Sequence, residues 1–293
     1  MEKIVLNLWF DKEAADAVAF YASTFENSKI LGTTILNDTP SGTVDIWTID
    51  IENLSFMMMN GGPFFKINPS ISFMISCKTD EEVKHFWEAF MEGGSALMPL
   101  DTYPFSPLYG WVIDRFGISW QVMHVGDQEI TSKITPSIMY VGDQCGKAEE
   151  AVKFYTTIFK PSRIGYFSRY GEGLAPNSPE MVNYVDFDLL GIKFSAMDSA
   201  LEHDFSFNEA ISLVVNCDSQ EELDYYWDNL SADSEAEQCG WLKDKFGVSW
   251  QIVPSDMDEV MRTCSREALD RITEVVLNMK KLDIEIINRA YNG

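Results

Sequence analysis

The sequence predicts an α+β fold: two tandem domains, each of two βαβββ modules, followed by a helical tail. Three repeated blocks carry that prediction. Trp111-Val112-Ile113-Asp114-Arg115-Phe116-Gly117-Ile118-Ser119-Trp120-Gln121 recurs as Trp241-Leu242-Lys243-Asp244-Lys245-Phe246-Gly247-Val248-Ser249-Trp250-Gln251. Residues 71–87 recur as 211–227, keeping Cys77/Cys217, Glu81-Glu82/Glu221-Glu222 and Trp87/Trp227. Residues 16–25 recur as 150–159, keeping Phe20-Tyr21/Phe154-Tyr155 and Phe25/Phe159. The blocks keep their order and differ only by loop-sized gaps, which marks duplication of a whole domain. Domain one is placed at 1–127, domain two at 128–254 and the tail at 255–293.

Within domain one, residues 4–10 are short and apolar, as a strand requires. Residues 11–25 then place Val18, Tyr21, Ala22 and Phe25 on one helical face. Strands follow at 29–37, 43–50 and 54–60, rich in Ile, Val, Thr, Trp and Phe. Pro40-Ser41-Gly42 and Glu52-Asn53 supply the turns between them. The second module repeats this order. A strand at 71–77 leads to a helix capped by Asp80, with Val83, Phe86, Trp87 and Phe90 as its buried face. Strands are expected at 96–99, 109–114 and 118–122, and 114–117 reads as a hairpin turn with Gly117 at positive φ. Two such modules can face each other across a concave cleft, with the helices outside. In the tail, Ser265 caps a helix with an apolar stripe at Ala268, Leu269, Ile272, Val275, Val276 and Met279. Asp283 caps a second helix carrying Ile284, Ile287 and Tyr291. The stripe must be buried, either on domain two or on a second copy of the chain.

Charge narrows the partners. The chain has 22 Lys and Arg against 46 Asp and Glu, a formal net charge of −24. Such a surface repels phosphate backbones and anionic lipid, so neither nucleic acid nor membrane is expected. No apolar run approaches the roughly 20 residues of a membrane span. The N-terminus runs from Met1 straight into strand-like sequence without signal-peptide features, so a cytoplasmic location is expected. Cys77, Cys145, Cys217, Cys239 and Cys264 are odd in number and form no C-x-x-C, which argues against a disulfide framework or a zinc knuckle.

A family pattern emerges from several stretches taken together. They are Ala148-Glu149-Glu150-Ala151, Phe154-Tyr155 and Phe159; Phe194-Ser195-Ala196-Met197-Asp198; Phe207-Asn208-Glu209-Ala210-Ile211-Ser212; and Cys239-Gly240-Trp241 through Gln251. The tail near 277–284 joins them, and domain one contributes Phe20-Tyr21, Gly61-Gly62-Pro63, Asn68 and 114–121. The chain resembles the vicinal oxygen chelate superfamily (glyoxalase, bleomycin-resistance and extradiol dioxygenase proteins). More closely it resembles the PhnB-like branch, also labelled demethylubiquinone methyltransferase-like. The resemblance implies tandem glyoxalase/bleomycin-resistance-like domains and a divalent metal held by His and Glu on inward-facing strands.

The residues offer poor ligands for that metal. His85 falls on a helix, His124 after the last strand of domain one and His203 in a loop. The final-strand position that is Glu in metal-binding relatives is Gln121 and Gln251. First strands offer Asn7 and Ser137. Fourth strands offer Met57, Met59, Ser195 and Met197. Fifth strands offer Ser70, Ser72, Ala210 and Ser212. Neither charge nor softness suits Zn²⁺ or Fe²⁺, so no metal and no other cofactor is expected. Glu81-Glu82, Glu149-Glu150 and Glu221-Glu222 fall at helix starts, where they favour the helix dipole. No nucleophile elbow, Walker loop or G-x-G-x-x-G appears, so nothing speaks for S-adenosylmethionine and no catalytic residue is assigned.

The candidate ligand pocket comprises Asn7, Trp9, Trp47, Met57, Met59, Ser72, Gln121, Ser137, Met139, Ser195, Met197, Ser212 and Gln251. If the two Gln side chains line a cleft, Trp120 and Trp250 face the helices instead. The expected function is binding of a small organic molecule without a metal. Two alternatives stand beside it: an enzyme on a small organic substrate (lyase, dioxygenase or methyltransferase-like), and a structural role in which the tail builds a homodimer.

Overall fold

The computed structural model describes residues 2–293; Met1 lies outside the described residues. Four modules follow one another along the chain. The first is β1 (Ile4–Phe10), α1 (Ala14–Thr24), β2 (Ser28–Thr39), β3 (Gly42–Ile51) and β4 (Leu54–Asn60). The second is β5 (Ile71–Cys77), α2 (Asp80–Met91), β6 (Ser95–Tyr103), β7 (Ser106–Ile113) and β8 (Ser119–His124). The third is β9 (Ile134–Tyr140), α3 (Ala148–Ile158), β10 (Ser162–Arg169), β11 (Val182–Leu189) and β12 (Ile192–Asp198). The fourth is β13 (Ile211–Cys217), α4 (Gln220–Leu230), β14 (Trp241–Lys243) and β15 (Ser249–Pro254). The tail forms α5 (Met257–Thr263), α6 (Arg266–Leu277) and α7 (Ile284–Asn292).

The expected strands at 4–10, 54–60 and 71–77 match in full. The helix expected from residue 11 begins at Ala14, whose N–H is capped from outside by Asn60 Oδ1 at 2.9 Å. The cap of α2 is Thr79, not Asp80: the Thr79 hydroxyl accepts the Glu82 N–H, which places Asp80 inside the first turn. Ser265 and Asp283 cap α6 and α7 as expected. The fourth module has no counterpart of β6, and 231–240 runs there without regular strand.

The modules form two compact units, and each unit combines one module from each repeat. One unit joins the described residues up to Lys66 with Asn208–Gly293; the other is Ile67–Phe207. The first carries a seven-stranded sheet in the order β14-β15-β13-β1-β4-β3-β2. The second carries an eight-stranded sheet in the order β10-β11-β12-β9-β5-β8-β7-β6. The seam of each sheet is an antiparallel pair of module-opening strands: β1 on β13 in the first (Asn7 opposite Ser212), and β5 on β9 in the second (Ser72 opposite Ser137). All four opening strands are similar apolar segments, so similarity between repeats does not say which two will pair.

The helices within the modules cover one face of each sheet. In the seven-stranded unit α1 packs on β2, β3 and β4, and α4 on β13, β14 and β15; in the eight-stranded unit α2 and α3 do the same. Strand alternation sends Trp120 and Trp250 to this side, at 1% and 0% exposure. Trp120 stacks on Phe90 of α2 with ring centroids 4.8 Å apart.

The longest repeated block now has a structural reason. Asp114 Oδ1 accepts the N–H groups of Phe116 and Ile118, and Oδ2 accepts the Trp120 indole N–H at 2.8 Å. Asp244 makes the same three bonds to Phe246, Val248 and Trp250. Gly117 and Gly247 close these turns at φ 86°, a region costly for residues with a Cβ.

Candidate functional site

The face of the seven-stranded sheet away from α1 and α4 collects six of the sequence-predicted residues. Asn7 on β1 sits between Ser212 on β13 and Met57 on β4. Trp9 lies beside Met59 on the same pair of strands. Gln251 on β15 donates to the Ser212 hydroxyl at 3.0 Å, and the Asn7 amide reaches the same oxygen at 3.4 Å. Trp9 is fixed by its indole N–H to the Gly62 carbonyl at 2.7 Å and by close approach to Gly61, where a Cβ would fall 2.2 Å from the ring. Trp241 meets it edge-on, with centroids 6.2 Å apart.

The tail lies over this face. Asp258 of α5 accepts from Thr48 of β3 at 2.9 Å. Arg262 donates to the Leu31 carbonyl at 2.7 Å, and Arg266 of α6 to the Ile35 carbonyl at 2.9 Å. The chain then returns to the opposite edge, where the Cys239 and Gly240 N–H groups donate to the Met279 and Lys280 carbonyls, each at 2.8 Å. The helical stripe is buried at Ala268, Leu269 and Ile272. Sheet and tail flank an open cavity of about 1310 Å³, lined by Asn7, Trp9, Met57, Met59 and Gln251 among the predicted residues, with Val44, Ile46 and Ile272 adding apolar surface. Among the polar members that sequence reasoning missed, four stand out: Thr34, Thr48, Asp258 and Arg262. The first two stand on the correct strand phase; the others are on the tail, whose docking place the sequence did not specify. At one margin Glu2 is held above the usual carboxylate range by burial, with Asp50 adding to the effect against opposing bonds from Ser55.

The other six predicted residues share the equivalent face of the eight-stranded sheet. Ser137 on β9 sits between Ser72 and Ser195, with Met139 next to Met197. Gln121 donates to Ser72 at 2.8 Å and accepts from the Tyr109 hydroxyl at 2.7 Å. Burial pushes the Tyr109 hydroxyl up, which keeps it a neutral donor. Ser72, Gln121, Ser137, Met139 and Ser195 are all at most 5% exposed. Gln121 and Ser72 are thus paired within the chain, while the buried Ser195 hydroxyl has no partner among the described residues.

Trp47 belongs to neither group. It pairs across with Met58, whereas Met57 pairs with Thr48, so Trp47 points to the helical side. A one-residue change of strand phase reverses a side chain's face. His124, placed after a strand by its sequence, ends β8 and meets Asp80 through Nδ1 at 2.8 Å.

A divalent metal at the central positions would need charged or imidazole donors there. Asn7, Met57, Ser212 and Gln251 in one unit, and Ser72, Gln121, Ser137 and Ser195 in the other, supply no carboxylate, imidazole or thiolate. That donor set does not fit Zn²⁺ or Fe²⁺. Among the described residues no group of three or more His, Cys, Asp and Glu is arranged to hold a metal ion. The five cysteines are free, and burial pushes Cys77 and Cys217 up to about 12. No helix among the described residues is long and apolar enough to cross a membrane.

With this geometry in place, comparison with known proteins gives a consistent result. The family model for 3-demethylubiquinone-9 3-methyltransferase matches residues 2–123 and again 132–253. A Bacillus cereus PhnB protein described under that same heading is 30% identical, covering 42% of this chain and 99% of its own, with a TM-score of 0.39. Glyoxalase I from Zea mays is 10% identical over 89% of this chain and 95% of its own, with a TM-score of 0.53, which is a likeness of fold. These are proteins of the vicinal oxygen chelate superfamily. A comparison with curated proteins finds no match.

Proposed function

We infer, for a chain that belongs to the 3-demethylubiquinone-9 3-methyltransferase family, that it binds a small organic molecule in the cavity of the seven-stranded unit. The observation that carries this reading is the cavity itself: about 1310 Å³, its surface mostly apolar through Trp, Met, Val, Leu and Ile side chains, with polar and charged residues interleaved among them. Binding sites for small molecules are concave and mostly apolar, with a small number of placed polar groups. Met side chains adapt their shape to the ligand, and Trp adds a rigid wall. The surface charge of −24 disfavours nucleic acid as a partner and suits a protein free in the cytoplasm. Ala268, Leu269 and Ile272 of the tail's apolar stripe are buried within the chain, while Val275, Val276 and Met279 stay half-exposed and leave room for a homodimer contact.

Native mass spectrometry with N-phenyl-1-naphthylamine, a neutral apolar dye, tests the reading. One dye per chain is expected. Met57→Glu places an unpaired carboxylate in the cavity and should weaken binding at least about tenfold. Met197→Glu, on the other sheet, should leave it unchanged. Failure to bind, or equal loss from both substitutions, would reject the cavity as the site. Zn²⁺, Fe²⁺ and Mn²⁺ added in parallel report on metal: a stoichiometric adduct would restore the metalloenzyme reading.

A further inference from the structure

Two hydrogen-bonding groups inside this cavity have nothing to bond. Thr34 on β2 is 5% exposed and lines the cavity, and its hydroxyl has no partner among the described residues. Arg262 on α5 also lines it, and its buried Nε has none either. The two groups are near neighbours. A Cβ on Gly32 would lie 2.4 Å from Arg262 Cδ, so the Arg262 stem rests on Gly32. Thr34 is two residues along the same strand in unbroken register (Gly32 opposite Thr48, Thr34 opposite Ile46), on the same face and about 6–7 Å away by strand rise.

The rest of the Arg262 fork is occupied. One terminal nitrogen donates to the Leu31 carbonyl at 2.7 Å, and the other lies 4.0 Å from the Asp258 carboxylate. That leaves Nε–H and the Thr34 hydroxyl as two donors without partners, both shut off from water on one side of β2. Leaving a buried donor unmade costs about 1–3 kcal/mol, so an acceptor placed there gains more than an ordinary surface bond would. The charge of Arg262 is offset by Asp258, and Asp256 and Glu259 also line the cavity. This balance disfavours a further anion and favours a neutral oxygen. Beyond it, Val44, Ile46, Met57 and Met59 offer apolar surface, with Thr48 beside Met57.

Resting on the cavity being a binding site, we propose that its ligand is a neutral carbonyl compound with an apolar body, its carbonyl oxygen accepting from Thr34 and Arg262 Nε. The ligand then joins β2 to the tail, because one donor comes from each.

The test uses the full chain and three probes of one shape in isothermal titration: 2-acetylnaphthalene, 2-ethylnaphthalene and 2-naphthoate. The ketone should bind about tenfold tighter than the hydrocarbon, and tighter than the carboxylate. Thr34→Val keeps side-chain volume and removes the hydroxyl. It should cut the ketone's advantage to about threefold or less and leave 2-ethylnaphthalene unchanged. Equal binding of ketone and hydrocarbon, a ratio untouched by Thr34→Val, or tightest binding of 2-naphthoate would each overturn the carbonyl assignment while leaving the cavity as a site. Binding of none of the three overturns both.

Discussion

The two sheets are built from the same duplicated modules, yet their concave faces ended differently. In the eight-stranded unit the central polar positions are buried, and Gln121 and Ser72 are held in the chain's own Tyr109–Gln121–Ser72 relay. In the seven-stranded unit the corresponding Gln251 meets only Ser212, Trp241 turns toward Trp9, and a large cavity remains under a helical roof. The strand that the fourth module lacks matters here. Where β7 pairs with β6 in one unit, the other presents Cys239 and Gly240 at the edge to carbonyls of the tail. A duplicated scaffold can thus bury the polar centre of one face and leave a large cavity on the other, by changing one edge and adding one segment.

The strongest way to break this contrast is to unseat the roof. Ile272 is fully buried on α6 and lines the cavity. Ile272→Asp should cost about 4 kcal/mol or more in chemical denaturation. It should also abolish dye binding and open 255–265 to limited proteolysis, with the eight-stranded unit resisting cleavage. Retained binding would show that the tail is not the wall of the site. A smaller effect comes from the paired hairpin clasps. Asp244→Ala and Asp114→Ala each leave an indole N–H and two amides short of an acceptor, at about 3 kcal/mol. Only Asp244→Ala should also weaken dye binding, since Trp250 adjoins Gln251. Equal effects on binding would mean that the two faces do not act independently.

The smallest effect concerns Asp198 and its counterpart Asn60. Both cap the helix of their module; Asp198 accepts from Gly146, Ala148 and Val182, and Asn60 from Ala14. Burial pushes the Asp198 carboxyl above its ordinary 3.8 despite those bonds. A carboxyl with a raised native pKa favours the folded state fully below the unfolded pKa and loses that contribution as pH rises through the native value. Asp198→Asn should therefore remove a decline in stability that begins near pH 4, with a net change within about 1 kcal/mol at neutral pH. Parallel pH profiles for both proteins between pH 3 and 7 would refute it.

Much of this was readable in advance, for physical reasons. The repeats, the strands at 4–10 and 71–77, and the helical side of Trp120 and Trp250 follow from periodicity, which short apolar segments state clearly. The face of Trp47 did not follow, because two neighbouring aromatic or apolar residues on β3 leave its phase open. The pairing of modules was hidden because similar strands offer similar partners. Thr34 and Arg262 were silent because each becomes notable only once the tail is docked.

The shuffled pairing has a consequence for synthesis. As the chain leaves the ribosome, β1 to β4 emerge first, while β13, the antiparallel neighbour of β1, lies some two hundred residues downstream. At about 5–20 residues per second that is a wait of about 10–40 s. The eight-stranded unit is contiguous in sequence and can close during that interval. The first module must meanwhile remain with one flank of β1 open, so nascent chains arrested before β13 present an unpaired strand edge to chaperones and to each other.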